Sequence, residues 1–451
     1  MNKMSDLELA KLIANKVNEH GGKAYFVGGY VRDKLLYKEN KDIDIEVHNI
    51  EPKKLREILS DLGEVKIQGA SFGILNIKGY DVDIAQPRKE RNNGSGHKDF
   101  DVDIDPFIGI EEAARRRDFT INALMEDILT GEIIDPFNGL DDLDNGIIRH
   151  IDDTTFVEDP LRVLRAAQFC ARFNFELALE TKDLIKTMDI SNLSSERIFG
   201  ELSKALLKSN NPSIFFNVLR SVNQLDVWFP EVKALIDCPQ PKKWHPEGDV
   251  WNHTMLVLDI AARLKKDTSN PLYFMMAALC HDFGKPLVVE CINGKITTRQ
   301  HDIVGVKPAI TFLNRITTEV AIKNYVTNMI KLHMKPNMYA ADNARVKATN
   351  KLFDDALVPI DLILLSNADH FGRANIESCK WDAEEYLYTR LDIYNKLMTE
   401  PEVTGKDLIK LGYKPSPIFS EILEKAHLLH LCGVSKDSAL KQLKGLYKLE
   451  V

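Results

Sequence analysis

Residues 24–47 read AYFVGGYVRDKLLYKENKDIDIEV, placing a glycine pair, a cation and two carboxylates within one short segment. Residues 24–27 form an apolar run that reads as a strand, and Gly28-Gly29 then permits a tight turn with no side chain between the backbone and an approaching group. A phosphate fits such a turn. Val31, Leu35 and Leu36 recur at helical spacing, which predicts a helix over 30–36 with Arg32 and Asp33 in its first turn and Arg32 facing the glycines. Asp42-Ile43-Asp44-Ile45 alternates charged and apolar residues. Strand side chains two positions apart share a face, so both carboxylates point the same way. Side-by-side hard oxygen ligands suit Mg²⁺, which binds one or two protein carboxylates together with water and substrate phosphates. Two such ions can clamp the attacking and leaving oxygens of an in-line displacement. On spacing alone, a solvated edge strand and a plain turn account for the same residues equally well.

GGYVRDKLL (28–36) followed by DID (42–44) resembles the head-domain motif of the class II tRNA nucleotidyltransferases, which include the CCA-adding enzymes, and of bacterial poly(A) polymerases. Both are branches of the polymerase-beta-like superfamily. The resemblance implies an α+β fold: a nucleotidyltransferase head with a small mixed sheet, followed by an all-helical neck, body and HD domain. It makes Asp42 and Asp44 the catalytic, Mg²⁺-holding pair and gives Gly28, Gly29 and Arg32 to the bound nucleotide.

The 451 residues are enough for about two to four domains, and 44% are hydrophobic, sufficient for sizeable cores. No apolar run reaches the ~18 residues that would announce a membrane span, and the first residues, MNKMSDLELAKL, lack a signal-peptide core. A cytoplasmic protein with no membrane partner is the expectation. The cysteines (170, 238, 280, 291, 379 and 432) show neither a CxxC pair nor framework spacing, so they read as reduced and mostly buried. A net charge of −8 excludes a broad basic coat for indiscriminate nucleic-acid binding. An RNA partner must be gripped by local patches.

Residues 1–150 alternate strand and helix signals and form the expected head. Asp83, in YDVDIA, is a third carboxylate near a strand end; a solvated side chain explains it as well, and it is left outside the predicted site. Residues 88–109 mix Gly, Ser and Asn with charges and read as a mobile loop. Arg115-Arg116-Arg117-Asp118 then reads as the basic start of a helix, which the helix dipole disfavours and a bound anion would relieve. RRDFTINAL (116–124) resembles the family's second motif, implying that Arg117 binds the triphosphate while Asp118 and Asn122 shape the sugar and base pocket. GEIIDPFNGLDDLDNGIIRHI (131–151) reads as a hairpin and turn closing the head.

From residue 157 the pattern becomes one of long helices. In EDPLRVLRA (158–166) the plain reading is an Asp cap followed by Pro at the first helical position. Asp159 and Arg162 can also share a helical face, setting an acceptor beside a forked donor able to read a base edge. The stretch resembles the protein template of class II enzymes, which implies Asp159 and Arg162 as the nucleotide selector with Glu158 and Arg165 in support. Gln168 departs from the arginine common in relatives, which implies a phosphate contact that is either weaker here or supplied by Arg172. The neck and body occupy 151–235, and the Pro- and Gly-rich segment CPQPKKWHPEG (238–248) reads as a boundary.

His253 in VWNHTML, His281-Asp282 in CHDFGKP and Asp369 in SNADHFGR lie on successive helical runs. Imidazoles and carboxylates converging from several helices can bind a divalent transition metal and leave positions open for water. Any one of these histidines alone would be read as structural. Together the set resembles the HD phosphohydrolase domain, assigned to 240–385, with His301 and His333 able to extend it to a second metal or serving only a structural role. Residues 390–451 read as a helical tail that touches RNA or packs on the body, with Ser416-Pro417 standing where relatives have Gly-Pro.

The resemblance implies template-independent addition of CMP and AMP, from CTP and ATP, to the 3′ end of tRNA, with HD hydrolysis as a second activity. Within the family an A-adding enzyme or poly(A) polymerase has nearly the same motifs. From another class, an HD phosphohydrolase using its head for RNA recognition is the alternative. A non-catalytic RNA-binding protein would leave Asp42 and Asp44 unexplained.

Overall fold

The computed structural model describes residues 4–40, 42–68, 73–92, 100–373 and 381–447. They fall into two compact units, one of residues up to Ala205 together with Ile214–Val227, the other of Leu206–Ser213 together with the chain from Trp228 onward. In the first unit, strands β1 (Lys23–Val27), β2 (Ile43–His48), β3 (Val65–Gln68), β4 (Ile74–Ile77), β5 (Val82–Ala85), β6 (Arg88–Asn92), β7 (Phe100–Ile104), β8 (Met125–Asp127) and β9 (Ile133–Ile134) are interleaved with short helices. Seven of them make one mixed sheet in the order β3-β4-β5-β2-β1-β8-β9. Helix α1 (Asp6–Glu19) starts in a capping box between Ser5 and Glu8 and buries Leu9, Ile13 and Val17, the i, i+4 row that its sequence encodes. Helices α2 (Gly29–Leu35) and α3 (Pro52–Ser60) follow the strands β1 and β2.

β1 pairs antiparallel with β2, Phe26 opposite Ile45, whereas β2 pairs parallel with β5, Asp44 opposite Asp83. The helix and hairpin between β2 and β5 make this parallel return possible. It puts a residue left outside the predicted site directly beside Asp44.

Three local expectations need correction. The arginines of 115–117 end a helix, α4 (Ile110–Arg115), and a 3-10 turn follows at Thr120–Asn122. Glu111 and Glu112 occupy the first turn and Arg115 the last, which the dipole favours, and Arg115 reaches Glu111 across one turn at 2.7 Å. The expected conflict with the dipole is therefore absent. The segment after β9 contains a helix, α5 (Gly139–Asn145), where a plain turn was expected. Asp135 caps it by accepting from the Gly139 and Leu140 N–H groups, and Gly146, at φ 67°, closes it. Residues 88–92 and 100–104 pair as an antiparallel ribbon, while the centre of the predicted mobile loop, 93–99, lies outside the described residues.

Helices α6 (Asp153–Val157) and α7 (Leu161–Phe173) follow, and α7 buries ten of its residues. Among its described residues the second unit is helical apart from a short hairpin, Glu290–Ile292 with Lys295–Thr297. Its centre is the helix Pro271–Cys280, buried from Phe274 onward and packed against Val250–Leu264, Val320–Leu332 and Pro359–Phe371. Segment 238–248 sits inside this unit, tied down where Asp249 accepts from the Asp237 N–H at 2.7 Å. The terminal helices Ile418–Leu431 and Lys436–Leu446 form their own apolar cluster and dock on Val346–Asp355, where Asn350 donates to the Leu431 carbonyl and His427 lies 2.8 Å from Asp354. Among the described residues no helix is long and apolar enough to cross a membrane. The five described cysteines are free; Cys170, Cys238 and Cys280 are buried, whereas Cys291 and Cys432 are exposed. Cys379 lies outside the described residues.

Candidate active site

Gly28 ends β1 at φ 65°, and a Cβ there would lie 2.9 Å from Arg117 Nη1. Only glycine combines that backbone with a guanidinium so close. The sequence motif therefore folds as read: strand, glycine turn, then α2 with Arg32 in place.

Asp42 is exposed just before β2, and Asp44 and Asp83 are half-buried on adjacent strands. Burial, followed by the neighbouring Asp83 and Asp42 carboxylates, raises the Asp44 pKa to about 6, against the opposing charge of Arg117. Crowded carboxylates of this kind have oxygens to offer a hard cation, so they fit Mg²⁺. Two positions along β2, Glu46 is buried and behaves oppositely. Although burial opposes its charge, the His48 hydrogen bond and the Arg117 and Arg116 guanidiniums lower its pKa to about 2. Glu46 is thus the fixed counter-ion of Arg117, a partner that the sequence reading missed.

Among the described residues Arg117 makes long contacts, 3.3 Å to the Asn122 carbonyl and 3.4 Å to Glu46. Its guanidinium retains capacity for a phosphate. Arg32 differs from expectation: it is only 3% exposed, stands over the rings of Phe169 and Phe173, and donates to Asp33 and to Asn122 Oδ1. Burial in that bonded position makes it a support for Asn122 more than an open ligand. Asn122 in turn donates to Asp118 Oδ1, and Arg165 donates to Asp118 Oδ2 at 2.7 Å. Arg172 closes the other end of the chain on Asp33 at 3.0 Å. The Arg165 guanidinium, with Asn122, holds the Asp118 carboxyl below its usual range although burial opposes this. Gln168, buried between Arg165 and Arg172 on α7, has no hydrogen bond at its Nε2 among the described residues, while Arg172 reaches into the network.

Removing Arg165 would strand the buried Asp118 charge. Arg165→Ala is expected to destabilise the first unit by on the order of 3–5 kcal/mol. In urea unfolding, the double variant Arg165→Ala/Asp118→Asn should recover part of that loss; equal losses in both would contradict the account.

Asp159 and Arg162 are brought close in chain but do not face one another as a free donor–acceptor pair. Asp159 accepts from the Leu161 N–H at 3.1 Å, as a helix cap should, and both its oxygens lie within 2.9 Å of Arg197 Nη2. Arg162 donates to the carbonyls of Thr155 and Arg116, each at 2.7 Å. Arg197, from the distant SSERIFGEL run, is the partner that local reading could not find.

In the second unit His253, His281, Asp282 and Asp369 come together as expected, all buried, and His301 and His333 join them. His253 Nε2 is 3.0 Å from Asp369 and its Nδ1 is 3.0 Å from Glu247, which also binds His245 at 2.9 Å. Burial alone would keep His253 neutral, but the Asp369 and Glu247 hydrogen bonds raise its pKa. Asp282 stays ionised below the usual range despite burial, facing His281 and the Lys285 ammonium at 2.6 Å. Burial, with His301 and His333 set beside one another, lowers the His333 pKa to about 3. Imidazole and carboxylate donors in this mixture fit a divalent transition metal. Glu247 holds the outer nitrogen of His253, the second contact that orients a ligating imidazole.

Three families match the chain: the Poly A polymerase head domain over residues 24–149, the probable RNA and SrmB-binding site of polymerase A over 174–236, and the HD domain over 250–374. The chain is 37% identical over 411 residues to the multifunctional CCA protein of Actinobacillus pleuropneumoniae serotype 5b, covering 88% of this chain and 96% of that one. It is 35% identical over 414 residues to the multifunctional CCA protein of Pasteurella multocida, covering 89% and 94%. In fold it is similar to the Thermotoga maritima CCA-adding enzyme complexed with tRNA, with a TM-score of 0.64 at 21% identity over 97% of this chain and 94% of that one. A CCA-adding enzyme with bound ATP gives a TM-score of 0.68 at 20% identity over 99% and 95%.

Proposed function

The chain belongs to the multifunctional CCA protein family, and from that premise we propose that it adds CMP and AMP, from CTP and ATP, to the 3′ end of tRNA without a nucleic-acid template. The reading is carried by identity to multifunctional CCA proteins along nearly their whole length, and the head geometry supports it. Mg²⁺, held by Asp42 and Asp44 with Asp83 beside them, would neutralise charge on the reacting phosphates. The chain's own residues do the rest by positioning, since phosphoryl-type transfer leaves little covalent work for the protein. The Gly28-Gly29 turn admits the triphosphate to the backbone, and Arg117 exchanges its long contacts for phosphate oxygens. Arg32 and Arg165 hold Asn122 and Asp118 rigid at the sugar and base pocket. Asp159 and Arg162 read the base edge, with Arg197 fixing the Asp159 carboxylate and the Thr155 and Arg116 carbonyls fixing Arg162. A selector held this firmly accepts the amino-donor edges of C and A and leaves its polar groups mispaired against U and G.

Competition of the four nucleoside triphosphates for tRNA lacking its terminal CCA tests the reading. Only CTP and ATP are expected to be used, and Asp159→Ala should lower discrimination against UTP and GTP by about 10²-fold. Ready use of UTP by the unaltered enzyme would contradict it.

A second activity is proposed for the histidine and carboxylate cluster, because it gathers donors that could hold a metal ion: hydrolysis of phosphate esters, including those at RNA ends. A bound transition metal would supply Lewis acidity there. Glu247 orients His253, and the buried Lys285 ammonium, held by Gln240, offsets the Asp282 charge. We place the enzyme in the cytoplasm, a reading supported by its free thiols.

A further inference from the structure

The loop of residues 239–248 is fastened to the histidine and carboxylate pocket at both ends. On its incoming side Pro239 pairs with Asp249, and the buried Gln240 accepts at 2.6 Å from the Lys285 ammonium, which itself lies 2.6 Å from Asp282. On its outgoing side His245 and His253 both meet Glu247, at 2.9 and 3.0 Å, with their rings 4.8 Å apart. Between these anchors the Trp244 and His245 N–H groups both donate to the Pro241 carbonyl, and Pro241 and Pro246 fix the backbone on either side. The loop is a stiff extension of the pocket.

Between the anchors the loop carries Lys242, Lys243 and Trp244, all exposed. Trp244 is 57% exposed, whereas the chain's other tryptophans, Trp228, Trp251 and Trp381, are 9%, 1% and 3% exposed. The Lys243 ammonium stands 4.8 Å from the centre of the Trp244 ring. An indole turned to solvent forgoes the burial that its large apolar area would gain. Because the prolines and turn bonds already order the loop, a ligand that covers this ring meets little ordering cost. Single-stranded RNA matches both features of the patch, since its bases stack on aromatic faces and its backbone phosphates pair with lysines. On a chain of net charge −8 the patch is a local grip and no part of a basic coat.

We propose that Trp244 stacks on a base of the RNA whose end enters the pocket, while Lys242 and Lys243 hold its backbone phosphates, so that this loop gives RNA ends their advantage over simple phosphate esters. The proposal rests on the hydrolytic reading of the pocket and deepens it. Gln240 through Lys285, and His245 through Glu247, tie the position of the ring to that of the groups around the reacting phosphate. An acidic protein segment would use the lysines and leave the indole without a stacked base, and it predicts no protection of Trp244 by RNA.

The test follows tryptophan fluorescence in the full-length chain, where only Trp244 among the four is open to solvent. A short oligoadenylate ending in a 3′ phosphate is titrated in with chelator present, so that it binds without being cleaved. Stacking is expected to quench the emission and shield it from iodide, and Trp244→Phe should abolish that response. Hydrolysis with Mn²⁺ is then compared on the same oligonucleotide and on bis(p-nitrophenyl) phosphate. Trp244→Ala should lower the kcat/KM preference for the oligonucleotide by on the order of 10-fold, mostly through KM, and Trp244→Phe should recover most of it. Lys242→Ala with Lys243→Ala should reduce the log–log salt slope of the oligonucleotide KM by about one. Equal changes on both compounds in Trp244→Ala would make the residue a support for the loop and overturn the proposal. RNA that leaves Trp244 open to iodide would overturn it as well, and this titration of the unaltered chain decides the question if Trp244→Ala does not fold. Quenching and shielding without hydrolysis of either compound would overturn the hydrolytic reading and leave the RNA platform standing.

Discussion

Asp44→Asn is expected to lower nucleotide addition by on the order of 10³-fold or more while raising the melting temperature of the metal-free protein. The two effects share one cause. Asp44 is crowded by Asp83 and Asp42 and half-buried, which lifts its pKa to about 6 from 3.8. A carboxyl whose pKa is raised on folding binds protons more tightly in the folded state, so its contribution to stability falls as pH rises from about 4 through about 6. Above that window the metal-free head carries an unfavourable charge, and Asn removes it. The melting transition of the first unit should rise by roughly 2–5 °C at pH 7.5, and the advantage should vanish near pH 4. Mg²⁺ should stabilise the unaltered protein and not the variant, and its affinity should weaken as pH falls through about 6 because binding must displace the proton. A variant that is inactive and also less stable at pH 7.5 would show that Asp44 serves the fold and not the metal.

The second large effect separates the two activities. His281→Ala removes a buried imidazole from the second unit, and hydrolysis of phosphate esters in the presence of Mn²⁺, Ni²⁺ or Co²⁺ is expected to fall to background. Addition to tRNA should stay within about twofold, because the head residues belong to a separately packed unit. Asp42→Ala should do the reverse, abolishing addition without unfolding the head and leaving hydrolysis in place. Parallel assays on both variants check this. Loss of both activities in either variant would contradict independence, and the absence of hydrolysis with Mg²⁺, Mn²⁺, Ni²⁺ and Co²⁺ in the unaltered chain would remove the second activity.

What could be read in the sequence was local. The strand, glycine turn and helix of 24–36 are fixed by residues within one turn of each other, and they form as their spacing requires. The alternation at Asp42-Ile43-Asp44-Ile45 falls on β2 from Ile43 onward, with Ile43 and Ile45 buried as read and Asp42 just outside the strand. Asp83 was left outside the predicted site because its place beside Asp44 comes from parallel pairing across an intervening helix and hairpin, and no short-range signal encodes that register. Arg197 and Glu46 were missed for the same reason: each gains its role from a partner far along the chain. Glu247 offered a clue, lying between His245 and His253 in a Pro- and Gly-rich stretch, but that composition read as a linker. The arginines of 115–117 were assigned to the wrong end of a helix. Ala113 and Ala114 before them favour helix and the β-branched Thr120 and Ile121 after them do not, so the stop signal was present and outweighed by the apolar spacing beyond it. Arg32 was placed correctly on its helix, yet its burial over Phe169 and Phe173 depends on α7 and so could not be seen locally.

The most direct measurement is stepwise extension of a tRNA lacking its 3′-terminal CCA, resolved on a gel at single-nucleotide spacing, with CTP alone, ATP alone or both. The account predicts two added residues with CTP, none with ATP alone on this substrate, and a third only when ATP joins CTP. Use of ATP alone, or growth of a long adenylate tail, would contradict it and would make the chain an A-adding enzyme or a poly(A) polymerase.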